Sequence, residues 1–515
     1  SDEEWEKSVE DWNATRQRVT DSLDSASAGM VVALSSLGTF ADSTAVREEL
    51  KGVHVPLVAS AAEEDEEKGD VLELAYRILQ TTLPPYTSAD VLAEQEPALA
   101  NGGVTQSPLT HSREDFHLCG VALTFVECFL RDPSLREQEL RFVHVAAECF
   151  KLLVKVEGEL EGFGRSACNA ACRVLTLFSH DVKGREEILT AGVVPAAIAF
   201  LTKPVSESIT VGVLQFLRVA MKERPLAEVA VDNDALPLLQ HIASAKAGEG
   251  AGELSSSIID QIIEVDLSAR LWWSGSIPEG LPLYSGFYDC GRAKARGDPW
   301  LKRDEHKSVQ LGTKWKETVV VNIDADEGLQ SMLEKVEARI KEEGAVTENA
   351  VLKIVAEEVS GALGGEMEME GYAHFSYIQD IDRIRVGLGA NYVPIGDVKR
   401  GNARHRAVLF KVLLDLLRSR TSTPAANVGE EGSEEVSGEG EGESVAVPPS
   451  FPHVSLDRCE ITRGALALFS WNEYVGEDGT RKVVDLLDAV GSVYEVESDE
   501  GRRYCRKGEN AFSYL

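Results

Sequence analysis

The chain has 515 residues, 43% hydrophobic and 27% charged, which allows sizeable cores and roughly two to four domains. A formal net charge of −34 argues against nucleic acid as a partner, because a phosphate backbone needs a basic face. No apolar run reaches the ~18 residues of a membrane span, and no signal-peptide pattern stands at the N-terminus. The chain opens at Ser1 without a methionine, as expected of a trimmed fragment.

From the N-terminus to about Val265 the text reads as nearly all helix. An acidic run, AEEDEEKGD over Ala62–Asp70, reads as a solvated loop. Apolar residues then recur at intervals of three and four, as in RFVHVAAECFKLLVKV and ITVGVLQFLRVAM. AGVVPAAIAFLT and DNDALPLLQHIAS each place a small or acidic residue, an apolar residue and a proline ahead of a helix. Their prolines, Pro195 and Pro237, stand 42 residues apart, and Pro56 has a similar setting. Proline suits a first helical turn, where its missing N–H costs nothing. A helical unit repeating near 40 residues predicts an armadillo or HEAT solenoid, with the number of repeats left open. SACNAACRVLTLFSHDVKGREEILTAGVVPAAIAFL resembles an armadillo repeat in particular. Stacked repeats share one core and expose a groove that binds extended or helical segments of a protein partner.

The eight cysteines are Cys119, Cys128, Cys149, Cys168, Cys172, Cys290, Cys459 and Cys505. Most lie in apolar helical text, and Cys168 and Cys172 are one helical turn apart without a second pair to complete a zinc site. They are expected to be reduced, buried thiols, with no metal and no cofactor.

After Ser268 the text changes. LWWSGSIPEGLPLYSGFYDCGR is rich in Trp, Tyr, Gly and Pro, and KETVVVNID reads as a strand. EGLQSMLEKVEARIKEEG and TENAVLKIVAEEVSGALGG read as helices, VPIGDVKRGN as a loop, and GNARHRAVLFKVLLDLL as the start of a helix. A Pro/Gly/Ser/Glu-rich insert, expected to be disordered, covers 419–453 and includes seven glutamates over Glu430–Glu443. DRCEITRGALALFSWNEYV and TRKVVDLLDAV then read as two strands around a GEDG turn. The predicted architecture is an all-α armadillo-type solenoid over 1–267, followed by an α+β domain over 268–515.

The order of the second half, Gly-x before a helix and then strands containing x-x-W and V-D, resembles the transglutaminase-like branch of the papain fold. That resemblance implies a Cys at the helix N-terminus, a His on the next strand and an Asp to orient it. The matching positions here are Ala403, Phe469 and Asp485. Alanine and phenylalanine can do neither nucleophilic nor acid–base work, so no catalytic residue is expected and the fold reads as a pseudoenzyme. His405 reads as a hydrogen-bonded structural histidine and Cys459 as a core thiol. A thiol-dependent peptidase or amide-transferring enzyme with a non-standard nucleophile is the alternative, and it needs Cys290, Cys459 or Cys505 near His405 or Asp485.

VPIGDVKRGNARHRAVLFKVLLDLL, CEITRG and KVVDLLDAVGSVYEV resemble more closely the domain upstream of the kinase in plant Raf-like kinases of the CTR/EDR type. The RHRA-x-LFK block is complete from Arg404 to Lys411. The acidic insert, Glu460 in CEITRG and Val490-Gly491 in place of Pro-Gly depart from that pattern. No protein-kinase motif follows. An armadillo array joined to this domain without a kinase resembles a family of animal and protist armadillo-repeat proteins. That resemblance implies a non-catalytic, cytoplasmic protein-binding scaffold, in several lineages associated with cilia or flagella. Arg404, His405 and Arg406 fall in a first helical turn, the unfavourable end for positive charge, so carboxylates are expected beside them. Those carboxylates could be internal, with Asp485 a candidate, or belong to a partner.

Overall fold

A computed structural model describes residues 55–56, 68–69, 71–82, 113–155, 162–203, 206–245, 249–291, 317–367, 377–422, 449–460 and 468–505. Contacts divide the chain into two units, Ser1–Val265 and Asp266–Leu515.

In the first unit, β1 (Val55–Pro56) and β2 (Lys68–Gly69) form a two-residue antiparallel ladder. This corrects the all-helical reading of the first half: a ladder so short, with a proline in it, has no alternating pattern to betray it. Helix α1 (Val71–Thr82) follows. The remaining helices fall into recurring triplets, each a long helix, then a short one of six to nine residues, then a third of nine to fifteen. The first triplet is α2 (Arg113–Leu130), α3 (Pro133–Gln138) and α4 (Arg141–Lys155). The second is α5 (Phe163–Phe178), α6 (Val182–Thr190) and α7 (Val193–Leu201). The third is α8 (Glu207–Ala220), α9 (Arg224–Asp232) and α10 (Ala235–Ser244), and α11 (Glu249–Val265) closes the unit.

Two features recur between triplets. First, each short helix starts after an acidic N-cap residue: Asp132, Asp181 and Glu223. The arginine of one short helix reaches the N-cap acid of the next, Arg136 Nε to Asp181 Oδ2 at 2.5 Å and Arg185 Nη2 to Glu223 Oε1 at 3.0 Å. Both arginines also donate to the carbonyl six residues earlier, Leu130 at 2.9 Å and Ser179 at 3.2 Å. These last-turn carbonyls would otherwise lack donors. Second, α7 and α10 carry their prolines at the same third position and are preceded by left-handed residues, Gly192 (φ 64°) and Asp234 (φ 61°). A Cβ at Gly192 would meet nothing within 4 Å, so Gly192→Ala tests the backbone alone. It is expected to cost about 1 kcal/mol, read as a lower urea midpoint for the helical unit, and an unchanged midpoint would remove the left-handed cap from the account.

Aromatic pairs fill the core, Phe125 with Phe129 at 5.0 Å and Phe150 with Phe200 at 5.4 Å between centroids. Cys119, Cys149, Cys168 and Cys172 are buried among them. A hydrogen bond with Cys119 and burial hold the Cys149 thiol well above its usual value, and Cys172 with burial does the same for Cys168. Such thiols are poor nucleophiles. Between α7 and α10 lies a cavity of about 320 Å³ lined by Pro195, Ile198, Ala199, Asp234, Pro237 and Leu238.

The second unit begins with α12 (Leu267–Ser274), capped by Asp266, whose carboxylate accepts from the Ser268 and Ala269 amides. The described residues of this unit form three small sheets. One joins β4 (Tyr288–Asp289) antiparallel to β5 (Thr318–Val320), and β5 parallel to β6 (Tyr392–Pro394). A parallel pair needs a long crossover, and here it carries α13 (Glu327–Glu342), α14 (Glu348–Ala362) and α15 (Ile378–Leu388). A second sheet orders β3 (Ser276–Ile277), β7 (Leu456–Glu460) and β8 (Leu468–Trp471). The third is a meander of β9 (Glu473–Val475), β10 (Arg481–Val484) and β11 (Val493–Glu495), followed by α17 (Asp499–Cys505).

Through the middle runs α16 (Ala403–Ser422). Its residues from Ala403 to Asp415 are all buried, and Val408, Leu409, Phe410, Val412 and Leu413 join the main core. A helix buried on every side reads as hydrophobic all round, and its polar residues must find partners inside the domain.

Two sequence readings change. DRCEITRGALALFSWNEYV holds three strands, because β7 pairs back on β8 and Asn472 breaks β8 from β9. The Asn472 side chain donates to the Ala407 carbonyl at 3.1 Å and that of Ser455 at 2.8 Å. The insert expected from residue 419 starts later, since α16 continues to Ser422, held by Arg420 donating to both Glu337 carboxylate oxygens of α13 at 2.8 and 2.9 Å. Residues 423–448 lie outside the described residues.

Candidate functional site

The positions where the papain-like pattern mounts its nucleophile and base come together in space. Ala403 begins α16, Phe469 lies on β8, and the two share a buried apolar cluster with Val483, Leu487 and Tyr504. The Phe469 ring stacks on Trp471 at 6.2 Å and meets the Tyr504 ring edge-on at 5.8 Å. Cys505 packs on the same cluster and is partly exposed, whereas Cys290 is buried. Asp485 follows β10 and is buried. Its Oδ1 accepts from the backbone amides of Leu487 at 2.8 Å and Asp488 at 3.2 Å, which ties the carboxylate into its own turn.

The charged residues of RHRA-x-LFK turn the other way. Asn402 caps α16, its Oδ1 accepting from the Arg404 and His405 amides. The Arg404 guanidinium donates to Glu317 Oε1 and, at 3.1 Å, to the Asp289 carbonyl, with Asp289 Oδ2 at 3.4 Å. Arg458 on β7 donates to the same Asp289 Oδ2. The four charges sum to zero inside the protein, the condition under which buried ions are tolerated. Arg404 thus answers the sequence question with Asp289 and Glu317. Neither they nor Arg458 stood out in the sequence, although an acid within FYDCG and another before the β-branched run TVVV are the signal: buried strand text carries charge only when it has a partner.

His405 is fully buried. Its Nδ1 accepts from the Asn402 amide at 3.2 Å and its Nε2 lies 3.1 Å from Glu317 Oε1, which assigns the neutral tautomer with hydrogen on Nε2. The angle to Glu317 falls outside hydrogen-bond geometry, so this contact is electrostatic. Burial pushes the His405 pKa down, and Arg404 beside it acts in the same sense against Glu317. Burial opposes charge on Glu317 as well, but Arg404 and then His405 more than offset it and hold the carboxyl at about 2. For Asp289 burial is outweighed by Arg458 and Arg404, which keep it well below the usual carboxylate range.

Arg406 ends at the C-terminus of α14. It donates to Ser360 Oγ at 3.0 Å and to the carbonyls of Gly365 at 2.7 Å, Leu486 at 2.8 Å, and Leu363 and Gly401 at 3.2 Å. Lys411 donates to the Val454 carbonyl at 2.7 Å and lies 3.2 Å from Asp415 Oδ2, which accepts from the Leu283 amide. Each charged side chain of the motif therefore ties α16 to a different element.

Among the described residues no group of three or more His, Cys, Asp or Glu side chains is placed to hold a metal ion, and no helix is long and apolar enough to cross a membrane. Residues 264–421 match the family model of the EDR1/CTR1/ARMC3, peptidase-like domain. A stretch of 61 residues is 39% identical to armadillo repeat-containing protein 3 of Homo sapiens, covering 12% of this chain and only 7% of that protein. No solved structure matches the chain. The family match takes in Asp289, Glu317 and the whole RHRA-x-LFK block, while Phe469 and Asp485 lie beyond it. Over residues 264–421 the chain carries a domain of the EDR1/CTR1/ARMC3 peptidase-like family, the kinship that RHRA-x-LFK predicts.

Proposed function

We propose that the protein is a non-catalytic interaction scaffold, an armadillo-type first unit joined to a transglutaminase-like domain without its chemistry. One observation carries the reading: Ala403 and Phe469 meet in a closed apolar cluster, while the histidine of the motif, His405, is engaged elsewhere by Asn402 and Glu317. A thiol mechanism needs a base within hydrogen-bond reach of its nucleophile. The armadillo assignment is supported by the three helix triplets, the arginine–acid rungs between short helices and the matching caps of α7 and α10. The cavity between α7 and α10 is the place to look for a protein partner on that unit. Action in the cytoplasm, or at a cilium or flagellum, rests on the resemblance alone.

The test is thiol reactivity. The folded chain is treated at neutral pH with an electrophilic thiol probe, and labelled cysteines are mapped by mass spectrometry. Cys505 is expected to label no faster than in the unfolded chain, and the buried thiols far more slowly. Any cysteine that labels at least tenfold faster folded than unfolded would establish an activated thiolate and return the chain to the thiol-enzyme class.

A further inference from the structure

The apolar cluster at Ala403 is closed by α17, the last helix among the described residues. Helix α17 has seven residues, DEGRRYC, of which only Gly501 and Tyr504 are buried. A helix this short and polar has little stability of its own, so docking keeps it formed. Gly501 lets it lie against the end of β11, since a Cβ there would run into the Glu495 carbonyl. Tyr504 does the docking. Its ring enters the cluster beside Phe469, and its hydroxyl accepts from the Leu486 amide at 3.0 Å. This cluster is separate from the main core that α16 shares with α13 and α14, so the helix can leave without dismantling that core. What it would leave behind is a ring-sized apolar pocket lined by Ala403, Phe469, Val483 and Leu487, with the Leu486 backbone N–H facing it. An unpaired buried N–H disfavours a bare phenyl ring and selects a phenol.

We propose that α17 is a cis-bound latch. The pocket of Ala403, Phe469, Val483 and Leu487 is a receptor for a tyrosine side chain, filled in the resting chain by Tyr504 and available, once α17 lifts, to a tyrosine-bearing peptide of a partner. The proposal rests on the reading of the peptidase-like domain as a docking surface and adds the chemistry of what docks. Binding in cis outcompetes the same segment in trans because the tether supplies a high effective concentration.

The probe is a fluorescent peptide of residues 497–507, its cysteine replaced by serine, titrated into the full chain. The Tyr504→Ala chain is expected to bind it at least tenfold more tightly than the wild-type chain, and a peptide with phenylalanine in place of its tyrosine is expected to bind at least tenfold more weakly. Equal binding to both chains, or none to either, would overturn the latch. A second measurement needs no variant. In the wild-type chain, hydrogen exchange at α17 amides should be at least a hundredfold faster than at α16, reporting opening without global unfolding. Protection of α17 equal to that of α16 would make it a fixed part of the core and end the proposal, even if Tyr504→Ala fails to fold. Neither result depends on thiol reactivity, so failure of the latch and failure of the non-catalytic reading can be told apart.

Discussion

Replacing Arg404 by alanine is expected to destabilise the second unit by about 3–5 kcal/mol, because removing one member of a buried ion group leaves its partners charged and uncompensated. The carboxylates left behind are Glu317, buried with the neutral His405 beside it, and Asp289, whose one remaining cationic partner among the described residues is Arg458. The backbone carbonyls of Asp289 and Glu317 lose their guanidinium donor as well. The readout is local: exchange at α16 amides should accelerate by about 10²–10³-fold or more. Arg404→Lys should recover little, since a single ammonium cannot span two carboxylates and two carbonyls as the planar fork does. The double variant Arg404→Ala with Glu317→Gln should be less unstable than Arg404→Ala alone, because the orphaned charge is gone. If Arg404→Ala left exchange unchanged but abolished binding to a partner, the cluster would be a docking site and its internal pairs incidental.

The sequence made the helix of this cluster legible and hid its neighbours. RHRA-x-LFK placed Arg404, His405 and Arg406 in a first helical turn, and the conflict between that placement and the helix dipole pointed to carboxylates; Arg404 and His405 face them, whereas Arg406 donates to backbone carbonyls and the Ser360 hydroxyl. It could not say which ones, because Asp289 and Glu317 lie 115 and 87 residues away and no local spacing links them. The regular part of the helical unit was legible for a similar reason. Pro195 and Pro237 share one interval of 42 residues, but the arginine–acid rungs do not. Asp132 to Asp181 spans 49 residues and Asp181 to Glu223 spans 42, so the ladder has no single period to detect. In the sheets, β8 and β9 read as one strand because Asn472, whose amide is spent on Ala407 and Ser455, looks in sequence like any polar residue of an alternating pattern.

The site also sets a pH dependence that runs in one direction through two windows. The groups facing His405 are Glu317 ahead of β5, Asp289 on β4, Arg404 on its own helix and the Tyr377 ring at the start of α15. His405 has a folded pKa below its unfolded value near 6.5. Between those values the unfolded chain binds more protons than the folded one, so this contribution is complete above about pH 6.5 and is lost as pH falls, at up to about 1.4 kcal/mol per pH unit. Glu317 follows lower down. Its carboxyl titrates near 2 in the fold against 4.5 in the open chain, so its share is whole above pH 4.5, is lost on the way to pH 2, and amounts to a few kcal/mol. Asp289 acts in the same sense. Asp415 opposes them, because burial raises its carboxyl and lets the fold gain on protonation. The net expectation is that α16 exchange protection, corrected for the intrinsic pH dependence of exchange, falls from pH 6.5 to 5 and falls further from 4.5 downward. His405→Gln separates the windows: it should abolish the upper slope and keep the lower one. A variant whose upper slope matched the wild type would show that another group titrates there, and the neutral His405 assigned by its contacts with Asn402 and Glu317 would have to be given up.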